Sequence, residues 1–263
     1  MDYMVEGSVF NAEIIRGLKS DFFSISRKQE ELSLGYLSKN FNHDRAKEFA
    51  HHGLLRRLKT IVRCIENIFH LVPPERHEPP SREGLSDAEI NLQAFAFNVF
   101  GCLDNLAWIY AFESGLKDNN LRPLRDQWVG LRRENSQIRE SLTPDFRSYL
   151  ESMDSWFDHL QNYRHALAHR IPLYIPPYIV TAENENAFRI LGDKMNEAIQ
   201  KRDYEAWSRL SRAQDALGVF RPWIMHSFRE EANPVWFHAQ ILADFNTIYE
   251  IGRKMLEELD RYK

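Results

Sequence analysis

Cysteine is almost missing from this chain: Cys64 and Cys102 are the only two in 263 residues. They form neither a metal-ligand spacing nor a disulfide framework, so a cystine-stapled scaffold and a thiolate zinc site are excluded and a reducing, cytoplasmic setting is expected. The opening MDYMVEGSVF lacks a basic stretch followed by an apolar one, so secretion is not expected. Positive charge is not in excess either. With 34 basic and 38 acidic residues the net charge is −4, so any nucleic-acid contact must come from a local patch. There is no glycine-rich phosphate loop and no nucleophile elbow. AFAFNVFGCLDNLAWIYAF, residues 94–112, approaches the length of a membrane span, but Asn98, Asp104 and Asn105 interrupt it. A central carboxylate costs roughly 2.5–3.5 kcal/mol even on the lenient insertion scale, so a central helix buried in a soluble bundle is expected, with no membrane as partner.

What the chain does have is helical periodicity. Hydrophobic residues make up 43% of it, enough for one sizeable core or two modest ones. From about Asn11 to Leu37 and from about His43 to Leu71, apolar residues recur three and four apart, as in Leu54, Leu58, Ile61, Ile65 and Ile68. Both stretches read as amphipathic helices. VPPERHEPPSREG breaks the pattern, and SDAE supplies Ser86 and Glu89 as a capping box for a helix reaching about Gly115. LRPLRDQWVGLRRENSQIRESL reads as a less regular helical segment. TPDF then offers Thr143 as N-cap and Pro144 as the first residue of a helix ending at His169 or Arg170. Pro172 stops that helix, because the residue before a proline is pushed out of helical geometry.

Beyond it, IPLYIPPYIV and VFRPWIMHSF are expected to be extended and to pair as a short ribbon, with helical residues from about Asn184 to Leu217 between them. The last helix, from about Pro234 to Arg261, carries Ile241, Leu242, Phe245, Ile248, Tyr249, Gly252, Met255, Leu256 and Leu259 on one stripe. The expected fold class is all-α, an up-and-down multi-helix bundle in a single domain spanning 1–263. Its N-terminal helices occupy about 11–71, a central part about 86–170, an excursion about 171–230 and a final helix about 234–261.

Chemistry concentrates in NYRHALAHRIPLYIPPYIV, residues 162–180. At about 100° per residue, Phe146, Leu150, Met153, Phe157, Leu160, Arg164, Leu167 and Ala168 fall on one face of the Pro144 helix. Arg164 lies at the edge of that stripe and needs an acceptor, since an unpaired buried charge is very costly. His169 stands roughly 140° round the helix from it and about 7.5 Å along. Convergence of the two is permitted but not imposed.

RHALAH resembles the Arg-x4-6-His motif of the HEPN superfamily, helical-bundle proteins that include many metal-independent endoribonucleases of toxin, antiphage and RNA-processing systems. The family often places Asn, Asp or His directly after the arginine, and His165 meets that preference. The same spacing occurs in Arg45 with His51 or His52, Arg63 with His70, and Arg221 with His226, but there the following residues are Ala46, Cys64 and Pro222. The resemblance implies RNA as substrate, no cofactor and no metal. It gives His169 the acid–base role, Arg164 that of phosphate clamp and His165 an orienting or second-base role. It also implies a homodimer with both motif copies facing one cleft, and small Ala166 and Ala168 suit such an approach. A supporting polar residue from a neighbouring helix is expected in Asp104, in a buried setting, with Asn105 next. The tyrosine two positions past the histidine, which family toxins silenced by nucleotidylation carry, is replaced by Ile171.

Other groupings read differently. His165 and His169, at i and i+4, lack the glutamate and further ligands of a metal site. Arg56, Arg57, Lys59 and Arg63 form one basic group, and Arg122, Arg125, Arg132, Arg133 and Arg139 another. Each can track a phosphate backbone or form a solvated face with its interspersed acids. Tyr174 and Tyr178 are candidates for stacking on a base, or parts of a rigid strap across the bundle. A non-catalytic HEPN-like bundle that binds nucleotide or protein in a regulatory or scaffold role is the alternative function.

Overall fold

The first helix shows how the bundle closes. In α1 (Ala12–Ser38), Asn11 caps the start by accepting from the Ile14 amide at 2.8 Å, and Ile15, Leu18, Ile25, Leu32 and Tyr36 form a narrow buried seam. That near-heptad spacing fits packing against a helix lying almost alongside. The neighbour is the last helix, α10 (Phe237–Leu259). Lys28 donates to Asn246 at 2.7 Å, the Tyr36 hydroxyl to the Gly252 carbonyl at 3.0 Å, and Lys39 to the Leu259 carbonyl at 2.9 Å, so the two run parallel. The computed structural model from which these contacts are taken describes residues 10–76, 78–118, 120–226 and 234–262.

Between these ends the chain goes down and up. A short α2 (Asp44–Glu48) passes through a π-helical turn (Phe49–Leu54) into α3 (Leu55–Leu71), which is antiparallel to α1, with the Phe22 and Phe69 rings stacked at 4.4 Å. The long α4 (Arg82–Ser114) returns beside α3, where Asn67 donates to Asn91 at 2.9 Å. It is the central helix of the core and, among the described residues, the one helix long and apolar enough to cross a membrane, although most of its apolar window is buried. It begins earlier than the SDAE motif suggested. Ser81 is the cap, accepting from the Gly84 amide at 3.1 Å, and Glu89 instead accepts from the Ile175 amide at 2.8 Å.

The segment after α4 departs most from expectation. LRPLRDQWVGLRRENSQIRESL is largely irregular, with one 3-10 turn (Asp126–Trp128) and the short α5 (Ser136–Ser141). Gly130 explains part of this: a Cβ there would sit 2.3 Å from the Asn135 Oδ1, so a loop must fold tightly over Asn135. The helix expected from Pro144 to His169 is two, α6 (Pro144–Ser152) and α7 (Asp154–His169), broken at Met153. Thr143 is the N-cap residue and Pro144 the first helical one, as expected, but the threonine side chain makes no capping hydrogen bond. Its Oγ1 and amide donate to the buried Glu258 at 2.7 and 3.2 Å. Asp154 opens α7 and accepts from the buried Arg139 at 2.6 Å.

Packing along α7 does not keep to one line. Phe157, Leu160, Tyr163 and Ala166 are buried, a three-residue spacing that turns around the helix as it passes its neighbours. Arg164 and Ala168, on the same line as Phe157, are therefore exposed at the far end. Ala166 is fully buried, which corrects its expected place on a partner-facing surface.

The expected ribbon is present: β1 (Ile179–Val180) pairs antiparallel with β2 (Gly218–Val219), and Tyr174 bridges to Met225. Between them α8 (Glu185–Gln200) and α9 (Tyr204–Asp215) form a hairpin that buries little beyond Ala198. A second ribbon, β3 (Trp223–Ile224) with β4 (Val235–Trp236), precedes α10, so the final helix starts at Phe237 rather than Pro234. Residues 227 and 228 of VFRPWIMHSF lie outside the described residues.

Candidate functional site

On one line of α4 at helical spacing, Phe97 and Asp104 are exposed and Trp108 half-buried, while Gly101 between them is buried. On one flank lies α3. Arg57 crosses from it over Gly101, where a Cβ would meet the guanidinium carbon at 2.4 Å, and donates to Asn105 at 3.1 Å and Asn98 at 3.3 Å. Asn105 is buried and serves this anchor. It faces α3, which removes it from the support of the motif. Arg57 is likewise held in place and does not form part of a free basic track.

On the other flank lies α7. The Arg164 guanidinium sits over the Phe100 ring at 4.8 Å, a cation–π contact. Asp104 shares a cleft of about 180 Å³ with Arg164, Arg132, Asn135, Phe100 and Phe157. The expectation of burial for Asp104 is corrected, since it is exposed at the cleft beside α7. Crowding by the surrounding helices raises its carboxyl above the usual range, opposed by Arg164, Arg57 and Arg132 in that order. The solvent reaching this side chain limits the size of the effect.

The two motif histidines stand together at the helix end, with ring centroids 6.3 Å apart and planes at 83°. His169 is exposed and His165 half-buried. Within one chain, then, α7 points Arg164 into the cleft beside α4 and sets His165 and His169 edge to face at its end. The competing Arg–His spacings are engaged in ordinary ways: Arg45 pairs with Glu48 at 2.6 Å, and Arg63 with Glu66 at 3.2 Å. Among the described residues, no three of His, Cys, Asp and Glu are placed to share a metal ion. The thiols of Cys64 and Cys102 are buried, and burial pushes Cys64 up to about 11 and Cys102 up as well, which suits neither to nucleophilic work.

Several candidates prove structural. Arg139 is buried, donating to the Leu131 carbonyl at 2.8 Å and to Asp154, so it leaves the proposed phosphate track. Arg133 pairs with Asp158. Tyr174 and Tyr178 lie on the strap that follows α7. Gln93 donates to the Leu173 carbonyl at 2.8 Å and Glu89 accepts from Ile175, tying the strap to α4. Tyr178 packs over Gly218 and beside Phe188 at 6.0 Å, on the α8–α9 hairpin.

Sequence reasoning missed two groups. Asn135 at the cleft had no signal beyond its position after a charged run. Asp244, inside the apolar stripe of α10, is buried and accepts from the Trp156 indole at 2.8 Å and Gln240 at 2.6 Å; burial pushes its carboxyl up to about 7. Tyr163, buried on α7, has its hydroxyl pKa raised by burial and by Asp244.

Comparison of the chain with protein-family models, curated proteins and solved structures gives no match.

Proposed function

We propose that the chain is a metal-independent endoribonuclease, with Arg164, His165 and His169 as its reactive group. The observation that carries this reading is the presentation of these three side chains at the end of one helix, with both histidine rings in edge contact and the arginine at the mouth of a cleft. Cleavage by the RNA's own 2′-OH needs only a base to take its proton, positive charge against the phosphorane, and an acid for the leaving 5′-oxygen. An imidazole pair and a guanidinium supply all three. His169 takes or returns the proton, His165 holds or complements it, and Arg164 clamps the phosphate with its planar fork.

A single chain leaves the arginine and the histidines turned to different neighbours, and a two-fold dimer answers this by bringing a second motif into the same cleft. Ile171, 54% exposed, and exposed Ala168 beside His169 offer an apolar, low-bulk contact surface for that partner. Ala168→Glu should then convert a dimer at micromolar concentration to an inactive monomer in sedimentation. A fully active monomeric wild type would exclude the dimer. The test of the reaction is a matched pair of oligonucleotides, all-RNA and the same sequence with 2′-deoxyribose throughout, with Arg164→Lys alongside. The RNA alone should be cut, and Arg164→Lys should fail to cut it. Equal cleavage of both strands would refute 2′-OH attack.

The alternative, a non-catalytic nucleotide-binding bundle, draws on the same cleft, whose mixture of arginine, carboxylate and amide groups suits a bound nucleotide without cleavage. RNA binding without cleavage would favour it.

A further inference from the structure

The cleft beside Arg164 is lined by two residues that each carry a polar atom the fold leaves unused. Arg132 Nη1 and Asn135 Oδ1 are both buried without a hydrogen-bond partner. One is a donor and the other an acceptor, and both residues line the same space of about 180 Å³. Asn135 is only 5% exposed, and it is set there by Gly130, whose missing Cβ makes room for its amide. Buried polar groups are nearly always satisfied, so each of these two atoms calls for a ligand or water as partner. Phe100 and Phe157 supply apolar wall, and Asp104 and Asp126 supply carboxylates at the lip.

The charges decide what kind of ligand fits. Arg132 and Arg164 are balanced by Asp104 and Asp126, and Arg132 already pairs with Glu134 at 2.6 Å. With Arg164 assigned to the phosphate at the mouth, the interior has no surplus positive charge, so a second phosphate is disfavoured. A neutral planar ring with donors on one edge and acceptors on another is favoured. The volume is below that of a drug-sized ligand site and suits a single ring system. Among the RNA bases, guanine alone presents two adjacent donors, N1–H and N2–H, which one carboxylate accepts together. Its O6 and N7 are the acceptors that an arginine reads. Adenine offers one donor beside a lone pair that a carboxylate repels.

We infer that this cleft is a guanine-reading pocket, with Arg132 and Asn135 as its inner contacts and Asp104 and Asp126 as its carboxylates, adjoining the phosphate held by Arg164. The inference rests on the RNA-directed reading for the nature of its ligand, but it is tested without any cleavage. Calorimetric titration with the four nucleoside 3′-monophosphates and with inorganic phosphate should give guanosine 3′-monophosphate an affinity about tenfold or more above the other three, the discrimination one two-pronged base contact supplies. Arg132→Gln should level the four nucleotides. Asp126→Asn, a change at an exposed lip residue that leaves the core untouched, should weaken the guanine preference without weakening inorganic phosphate. Equal affinities for all four, or binding of phosphate as tight as any nucleotide, would overturn the pocket. Mapping cut sites in a mixed-sequence RNA separates the two ideas. Cleavage without bias toward guanosine refutes the pocket and leaves the nuclease standing, whereas guanosine-selective binding with no cleavage supports the pocket and refutes the nuclease.

Discussion

Glu258 and Arg164 are both charged residues on helices of the same bundle, and the molecule treats them in opposite ways. Glu258, 3% exposed, accepts from the Thr143 amide and hydroxyl and pairs with Arg261, so its charge is spent on joining α6 to the end of α10. Glu113 does the same at the other side of the bundle, accepting from the Asn42 and His43 amides at 3.1 and 2.8 Å. At the end of α7, by contrast, Arg164 and His169 are exposed, and two residues lining the adjoining cleft carry a donor and an acceptor with no partner. A buried charge without partners is severely destabilising, and Glu113, Arg139 and Glu258 each have theirs within the bundle. Where polar groups remain uncommitted on an ordered scaffold, they are available to something outside the chain.

The widest separation between the two regions should come from one substitution in each. Phe245→Ala empties a fully buried ring position on α10 and should cost roughly 3–5 kcal/mol in denaturant unfolding. His169→Ala should leave the unfolding midpoint within about 0.5 kcal/mol of wild type while lowering RNA cleavage roughly 10²- to 10⁴-fold. A loss of stability in the His169 variant would erase the distinction.

Asp244 sharpens the comparison from the core side, because it is a buried carboxyl raised from 3.8 to about 7 by burial. Between about pH 4 and 7 the folded protein keeps a proton that the unfolded chain has released, so stability falls as pH rises through that window. The difference corresponds to at most about 4 kcal/mol. Asp244→Asn keeps the acceptor for Trp156 and Gln240 and should flatten the profile, gaining most over wild type at pH 8. An unchanged pH dependence in thermal unfolding would show that the acid is not held neutral.

The smallest effect expected is at the strap. Glu89→Ala removes the acceptor of the Ile175 amide, and should cost about 1–2 kcal/mol and speed hydrogen exchange at Leu173 and Ile175. Exchange as slow as in wild type would mean that the strap is held by its buried side chains alone.

Much of the bundle was legible because long helices with apolar stripes leave a strong period in the chain, as in Leu58, Ile61, Ile65 and Ile68 of α3. The ribbon after Pro172 followed from proline chemistry. The start of α4 was misplaced because Ser86 has Glu89 three residues on, a capping-box pattern, whereas Ser81, the actual cap, has Gly84 there and carries no such signal. The break at Met153 has no local signature. At the break the buried Arg139, from α5, pairs with Asp154 at the start of α7, a tertiary contact that a helical pattern does not record. Along α7 the buried line drifts round the helix with its three-residue spacing, so Ala166 is buried and Arg164 exposed. For the site, the spacing of Arg164, His165 and His169 was readable, and so was the neighbourhood of Asp104. Arg132 was readable only as one of a basic group and Asn135 not at all, because a loop brings them to the cleft and no periodicity records that path.

The central claim is that α7 ends in a reactive group that cuts RNA through its own 2′-OH. It is tested most directly by incubating the purified protein with mixed-sequence RNA in excess chelator and determining the fragment ends by mass spectrometry, with His169→Ala in parallel. The account predicts 2′,3′-cyclic phosphate and 5′-hydroxyl ends from the wild-type protein and intact RNA from the variant. Intact RNA in both, or cleavage that appears only on adding metal or persists in His169→Ala, would contradict it.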